Sequence, residues 1–388
     1  MTFGLSGHVL PIHPQPKPDE IFSSWFCRIA QDNGMKLHTL EVQLWGRDKQ
    51  IWTRDIDRSI DEPTLAKVAA VSSTTIERAR ETCLRSYEGR MFERLNVAGN
   101  SDWILPSGIF HRKRKRPGMQ FCPLCLATDE TPYYRKAWRL ALSTFCDLHD
   151  VMLHDRCPKC QSPVMFHRQE LGKRWSWKVE SLTLCTGCGF DLKRAAAHQA
   201  PVIEIHAWNT IKSQLFFLDN GWTFAGDKTF LYSHLYFQAL RNLIQKLRSS
   251  LTTGRLLQHV KERFCLDSKI AFTGRMPFEF YGLEERHCLL QVATWFLLDW
   301  PHRFLEISKD LHIRYSELMY DLEPAPFWFV NGARRLENKP LGPSDGERAA
   351  MRALLESTDD EIRLERLKRQ IRLRLANRSI RELWSHDA

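Results

Sequence analysis

No stretch of this chain approaches 18 uninterrupted apolar residues, and the nearest, residues 289–300, is too short to cross a bilayer. The opening residues, MTFGLSGHVLPIHPQPKPDE, lack a basic stretch followed by an apolar run, so no secretory signal is expected. Low-complexity tracts are missing, and no internal repeat is visible beyond one doubled cysteine motif. No clustered carboxylates suggest a two-metal hydrolytic site. Together these absences argue against a membrane-spanning or secreted protein and point to a reducing, cytoplasmic compartment. In such a compartment Cys27, Cys83, Cys265 and Cys288 are expected to be buried as small hydrophobes.

What the chain does have is size, charge and metal-ligand spacing. Its 388 residues suffice for two to four domains, and 43% apolar with 26% charged residues is ordinary for a globular protein. Lys and Arg number 56 against 46 acids, a net charge of +10. That surplus attracts a polyanion, most often nucleic acid, without conferring specificity.

The stretch 122–188 organises the rest. It reads CPLC (122–125), FCDLH (145–149), CPKC (157–160) and CTGC (185–188), four pairs of potential ligands each separated by two residues. That spacing lets two ligands on one tight turn face a single ion, and two such turns complete a tetrahedral Zn²⁺ shell. Pairing in chain order gives Cys122, Cys125, Cys146 and His149 for one site, and Cys157, Cys160, Cys185 and Cys188 for the other. Two Zn²⁺ per chain are expected, both with full shells and so structural. A cross-brace, first pair with third and second with fourth, is the alternative. The seven residues between His149 and Cys157 favour two consecutive ribbons. His154 is a substitute for His149 at poorer spacing.

Around this centre the pattern is helical. After the prolines at 11, 14, 16 and 18, Asp19 can cap a helix carrying Phe22, Trp25 and Ile29 on one stripe with Ile21, stopped by Gly34. Residues 65–70 and a second helix from Thr74 outline a helix-turn-helix, with Leu65, Val68 and Ala69 against Ile76, Ala79 and Cys83. Its second helix would offer Thr75, Arg78 and Arg80 to a DNA groove; an ordinary helical hairpin has the same outline. The run HRKRKRP places Arg112, Lys113, Arg114, Lys115 and Arg116 before the first knuckle, as phosphate contacts or as a solvated loop. In PYYRKAWRLALSTF, Trp138 and Leu142 are expected to pack inward while Arg135, Lys136 and Arg139 point outward. Beyond Cys188, residues 205–265 and 283–330 read as helices, with a buried stripe at Leu235, Ala239, Leu240, Leu243 and Leu247. Pro301 interrupts, and 304–311 with 315–322 outline a second helix-turn-helix. NKPLGPSDGE (338–347) reads as a linker. The tail opens with acids and continues with bases, as the helix dipole favours. Its apolar seam at Leu364, Leu367, Ile371 and Leu375 calls for a partner or the protein's own body to cover it.

Four features occur together: the lead ending in DEIFSSWFCRIAQDNG, the block CPLCLATDETPYYRKAWRLALSTFCDLHDVMLHDRCPKC with its later CTGC, the DWPHRF motif, and the helical C-terminal half. In these the chain resembles the TniQ/TnsD family of transposon target-selection proteins over most of residues 10–330. The resemblance implies a non-enzymatic adaptor of a bacterial, nucleoid-associated kind. Such a protein links a target to an AAA+ regulator ATPase that brings the transposase. It implies DNA or an RNA-guided CRISPR effector complex as further partners, a homodimer among the assemblies, and no membrane. The eight zinc ligands carry over onto the positions named above.

The expected architecture is mainly α with small β zinc ribbons. It comprises an N-terminal helix-turn-helix domain (1–110), a tandem zinc-ribbon module (111–200), a helical C-terminal domain (201–337), and a linker with a charged amphipathic helix (338–388). Two other readings compete. A zinc-ribbon nuclease would draw on Asp147, His149, Asp150 and His154, but the first ribbon consumes His149 and leaves His154 as the only local free base. A stand-alone transcription regulator would use one helix-turn-helix and recruit no ATPase.

Overall fold

The computed structural model describes residues 9–107, 116–168, 181–226, 229–248, 250–266, 276–320, 322 and 324–336, with isolated positions 349, 353, 365 and 369. Arg112, Lys113, Arg114 and Lys115, the linker 338–347, and the seam at Leu364, Leu367, Ile371 and Leu375 lie outside the described residues. The described chain is mainly helical. It runs α1 (Phe22–Asp32), α2 (Leu37–Trp45), α3 (Ile56–Ser59), α4 (Glu62–Val71), α5 (Ile76–Glu81) and α6 (Pro123–Thr128). There follow α7 (Ile205–Asn220), β1 (Trp222–Ala225), β2 (Thr229–Tyr232), α8 (Ser233–Arg248), α9 (Ser250–Arg263), α10 (Leu283–Leu298), α11 (His302–Asp310), α12 (Tyr315–Met319) and α13 (Phe327–Ala333). The strands form a two-stranded antiparallel sheet.

Helix α1 is enclosed on every side. Ile21, Phe22, Trp25 and Ile29 are buried as their spacing predicts, but Ser23, Ser24 and Arg28 on the other faces are buried too. Each polar group therefore finds a partner. Ser23 donates from its backbone N–H and hydroxyl to Asp57, and the Ser24 hydroxyl and the Arg28 guanidinium donate to Glu20. Asp19 does not cap the helix: Ile21 holds the N-cap position without a side-chain bond. Asp19 instead adopts φ +52° and accepts from the N–H of Ala137, tying the proline lead to the cysteine-bearing segment. The core around α1 includes Leu65, Val68, Ala69, Ala79 and Cys83, so α4 and α5 close upon each other where their apolar positions predict. Asp61, not a residue further along, caps α4 by accepting from the N–H of Thr64.

Among the described residues between α5 and α7 regular structure is sparse, and here the expected orientation of three cations is overturned. Lys136 and Arg139 are buried and the Arg135 side chain nearly so. Helical periodicity does not apply, because residues 136–139 form a single tight 3₁₀ turn. Arg139 reaches Asp55 at 2.5 Å and Asp57 at 3.1 Å, Arg135 pairs with Asp129 at 3.0 Å, and Lys136 donates to the carbonyl of Glu81 at 2.6 Å. Trp138 and Leu142 are buried as expected.

Helix α10 is the axis of the C-terminal half, buried along most of its length between α7 and α8. From it Arg286 donates to the carbonyl of Ala141 and to Gln120 Oε1, both at 2.8 Å. His287 bonds Thr144 Oγ1 at 2.8 Å and the carbonyl of Pro201 at 2.9 Å. Burial pushes the Arg286 guanidinium down to about 10, so it stays charged at neutral pH. One apolar core accordingly runs from Ile21 and Cys27 through Cys122 and Cys185 to Leu336. Cys27, Cys83 and Cys288 lie buried, but Cys265, expected to be buried, is exposed just past the end of α9.

Arg139→Met would strand Asp55 and Asp57 without their cation, at a cost of about 3–5 kcal/mol by urea denaturation at neutral pH. Burial, above all, holds the Asp57 carboxyl up at about 6 even with Arg139 beside it. A raised carboxyl binds its proton more tightly in the folded state, so its stabilisation is full below about 4 and lost as pH rises through about 6. The deficit of the variant is therefore expected to shrink on acidification from pH 7 to 5.

Candidate metal centres

Three of the four knuckles share one backbone turn. In each, the N–H of the leading cysteine donates to the carbonyl five residues on: Cys146 to Val151, Cys157 to Ser162 and Cys185 to Phe190, at 2.8–2.9 Å. The residue four places on donates back to the cysteine carbonyl, and it takes a positive φ: Asp150 (+52°), Gln161 (+59°) and Gly189 (+71°). Isolated antiparallel bridges flank each turn, Phe145 with Met152, Arg156 with Pro163 and Leu184 with Asp191. The first knuckle differs, because Cys122 caps α6 by accepting from the N–H of Cys125 in its first turn. The N-terminus of α6 thus directs its dipole toward thiolate charge.

The structure gathers the eight side chains in chain order. Cys122, Cys125, Cys146 and His149 form one group and Cys157, Cys160, Cys185 and Cys188 the other, with ligand atoms inside each group within 4.8 Å of one another. Alternate pairs do not meet. In the first group, Cys125 Sγ stands 3.5 Å from Cys146 Sγ and 3.4 Å from His149 Nδ1, and Cys122 Sγ lies 3.7 Å from His149 Nδ1. In the second, Cys157 to Cys188 is 3.7 Å and Cys160 to Cys185 3.5 Å. These lengths test the fit to an ion. A tetrahedron with metal–sulfur bonds of about 2.3 Å has edges of about 3.8 Å, while a disulfide requires about 2.05 Å. The spacing suits a metal and rules out disulfides.

In each group one thiol is held down while others are pushed up, Cys157 and Cys185 chiefly by burial. Hydrogen bonds from Cys125 and Cys146 pull the Cys122 thiol down to about 3, and the same exchanges push Cys125 up. At the second group the Ser162 hydroxyl holds Cys160 down at about 6. The first group is buried apart from half-buried His149, whereas Cys160 and Cys188 of the second reach solvent.

Of the supporting residues, Gln120 has no signal in the sequence. Gln120 donates its amide to the carbonyls of Trp138 (3.1 Å) and Ser143 (2.7 Å) and accepts from Arg286, bracing the backbone on both sides of the first group. Gly187 is required by close approach, since a Cβ there would lie 2.8 Å from Ser162 Oγ and 3.3 Å from Cys160 Sγ. A glycine inside a knuckle is the available clue.

His154 stands apart from both groups. Its ring stacks on Phe121 at 5.2 Å, its Nε2 bonds the carbonyl of Ala196 at 2.8 Å, and burial lowers its affinity for a proton. Nearby, Asp150 pairs with Lys212 at 2.7 Å. Thr75 caps α5 by accepting from the N–H of Arg78. Arg78 reaches the carbonyl of Pro16 at 3.3 Å, and Arg80 pairs with Glu62. Arg116 stacks over Phe280 at 4.4 Å. Arg78 lines one cleft with Asp147 and Leu148 of the Cys146–His149 knuckle.

The TniQ family model matches residues 11–153, from the proline lead through all four ligands of the first group. No curated protein matches the chain. Elemental analysis of purified protein is expected to find two metal ions per chain. Cys160→Ser should lower the count to about one and promote aggregation. Folded protein that carries no metal would contradict the assignment.

Proposed function

We propose that this chain, a TniQ-family protein, is a target-selection adaptor for DNA transposition, held by two Zn²⁺ and without chemistry of its own. The family match over residues 11–153 carries this reading. Two four-ligand groups support it: a metal in either would find its shell complete, as structural sites require. The all-sulfur second group and the three-sulfur first group favour zinc among divalent ions. The turn shared by the Cys146, Cys157 and Cys185 knuckles supports reading them as tandem zinc ribbons.

In this reading α4 and α5 are the helix-turn-helix, with Arg78 at its exposed face and Thr75 shaping the start of its second helix. Arg80 would have to exchange Glu62 for a phosphate. The basic run Arg112 to Arg116 supplies sequence-independent phosphate contact. Supporting this, Gly118 approaches Ser107 so closely that a Cβ would meet the Ser107 backbone at 2.5 Å, so the described residues on either side of the run meet. The partners are an AAA+ regulator ATPase and either DNA read directly or an RNA-guided effector complex, with a homodimer one of the assemblies open to it. A nuclease has less support, since His154 is engaged by Ala196 and Phe121 rather than free to act as a base. Among the described residues no helix is long and apolar enough to cross a membrane.

The test is binding of the purified protein to a pool of genomic fragments, with and without an AAA+ regulator ATPase. Fragment-selective binding, or binding made selective by a partner that also recruits the ATPase, supports an adaptor. Selective binding that never recruits the ATPase would instead favour a transcription regulator. Replacing Arg112, Lys113, Arg114, Lys115 and Arg116 with serine should weaken binding and flatten its salt dependence, by about 0.9 in log–log slope for each phosphate no longer neutralised. An unchanged slope would return the run to a solvated loop.

A further inference from the structure

The β1–β2 hairpin carries an apolar face that the rest of the described chain leaves uncovered. Trp222 pairs across the strands with Tyr232, and Phe224 with Phe230, so all four rings share one face. They are 42%, 64%, 56% and 59% exposed respectively. The rings also pack on one another, Trp222 to Phe230 at 5.4 Å and Phe224 to Phe230 at 5.8 Å. The opposite face is accounted for: Thr223, Ala225 and Leu231 are buried, and α7 and α8 pack against the hairpin. Four adjoining exposed aromatics on one small sheet mark an interaction surface, because isolated exposed rings are common but contiguous ones are not.

The described body ends beside this hairpin. Gly226, at the end of β1, lies so near Trp300 that a Cβ would meet the Trp300 carbonyl at 2.3 Å. Gly332, in α13, lies equally near the other side of the same residue, where a Cβ would meet Trp300 Nε1 at 2.3 Å. Trp300 is therefore wedged between the hairpin and the last helix, three residues after which the described segment closes at Leu336. Residues 337–388 start from that point, and their sequence places Leu364, Leu367, Ile371 and Leu375 at i, i+3, i+7 and i+11. A helix would hold those four along roughly 16 Å, enough to lie across a hairpin whose strands are about 10 Å long.

We propose that the C-terminal segment docks its seam, Leu364, Leu367, Ile371 and Leu375, onto the aromatic face formed by Trp222, Phe224, Phe230 and Tyr232 of the same chain. Tethering beside the face keeps the segment at a high effective concentration, so a modest contact suffices. Nucleic acid is a poorer occupant, because no charged side chain is found among the described hairpin residues to neutralise phosphates. The proposal is independent of the transposition reading.

The experiment uses full-length protein with a benzophenone-bearing residue in place of Phe224, and Val202 as an exposed control site. Cross-links from position 224, mapped by mass spectrometry in a mixture of light and heavy chains, are expected within residues 360–380 of the same chain and not from position 202. Cross-links to a second copy, to nucleic acid or to another protein, or none to the tail, would overturn the proposal. Hydrogen exchange supplies a second readout. The amides of 361–376 should exchange at least tenfold faster in Phe224→Glu/Phe230→Glu than in wild type, with metal content unchanged. Equal exchange in the two proteins would likewise overturn it.

Discussion

The constraint on which this structure rests is the convergence of four ligand-bearing turns into two closed shells. Among the described residues between α5 and α7 there are one short α-helix, four 3₁₀ turns and scattered single bridges, few ladder bonds to hold that backbone in place. A structural zinc site contributes apparent binding energies of about 10–16 kcal/mol, comparable to the whole stability of a small domain. Two metal ions of that strength in the two four-ligand groups would do for this segment what a sheet does elsewhere. The turn repeated at Cys146, Cys157 and Cys185, with a positive φ four residues on, shows how little local structure these knuckles require.

Buried cations then join that segment to the helices on either side. Arg139 reaches back to Asp55 and Asp57 before α4, Lys136 to the end of α5, and Arg286 forward from α10 to Gln120 and Ala141. Burying these charges is costly on its own, and net stability does not follow from the pairing. What the pairing does set is register: each guanidinium fits one arrangement of acceptors, so the helical layers cannot slide across the cysteine segment. The adaptor reading draws on the same arrangement, because a protein that couples one partner to another benefits from rigid internal joints.

The two four-residue groups are legible in the sequence because their signal is local: an x₂ spacing is readable without knowing what lies beside it. The apolar stripe of α1 and the packing of α4 on α5 are legible for a similar reason, through helical period. The orientation of Arg135, Lys136 and Arg139 is not, since a 3.6-residue period does not hold in a stretch that forms only a 3₁₀ turn. Asp19 resembles a helix cap because it stands before an apolar run, yet its left-handed backbone turns it toward Ala137. Gln120 and Arg286, separated by 166 positions, give no sequence sign of meeting. Cys265 escapes composition reasoning, which says where cysteines usually lie and not where a particular helix ends.

Hydrogen exchange on the full-length protein before and after metal removal tests the account most directly. Protection at the amides of Cys146, Cys157 and Cys185, which close the three like turns, is expected to collapse once metal is removed. Protection along α10 should fall with it, because Arg286 and His287 lose the backbone they grip. Unchanged protection at those three amides in metal-free protein would contradict the claim that the shells hold the fold.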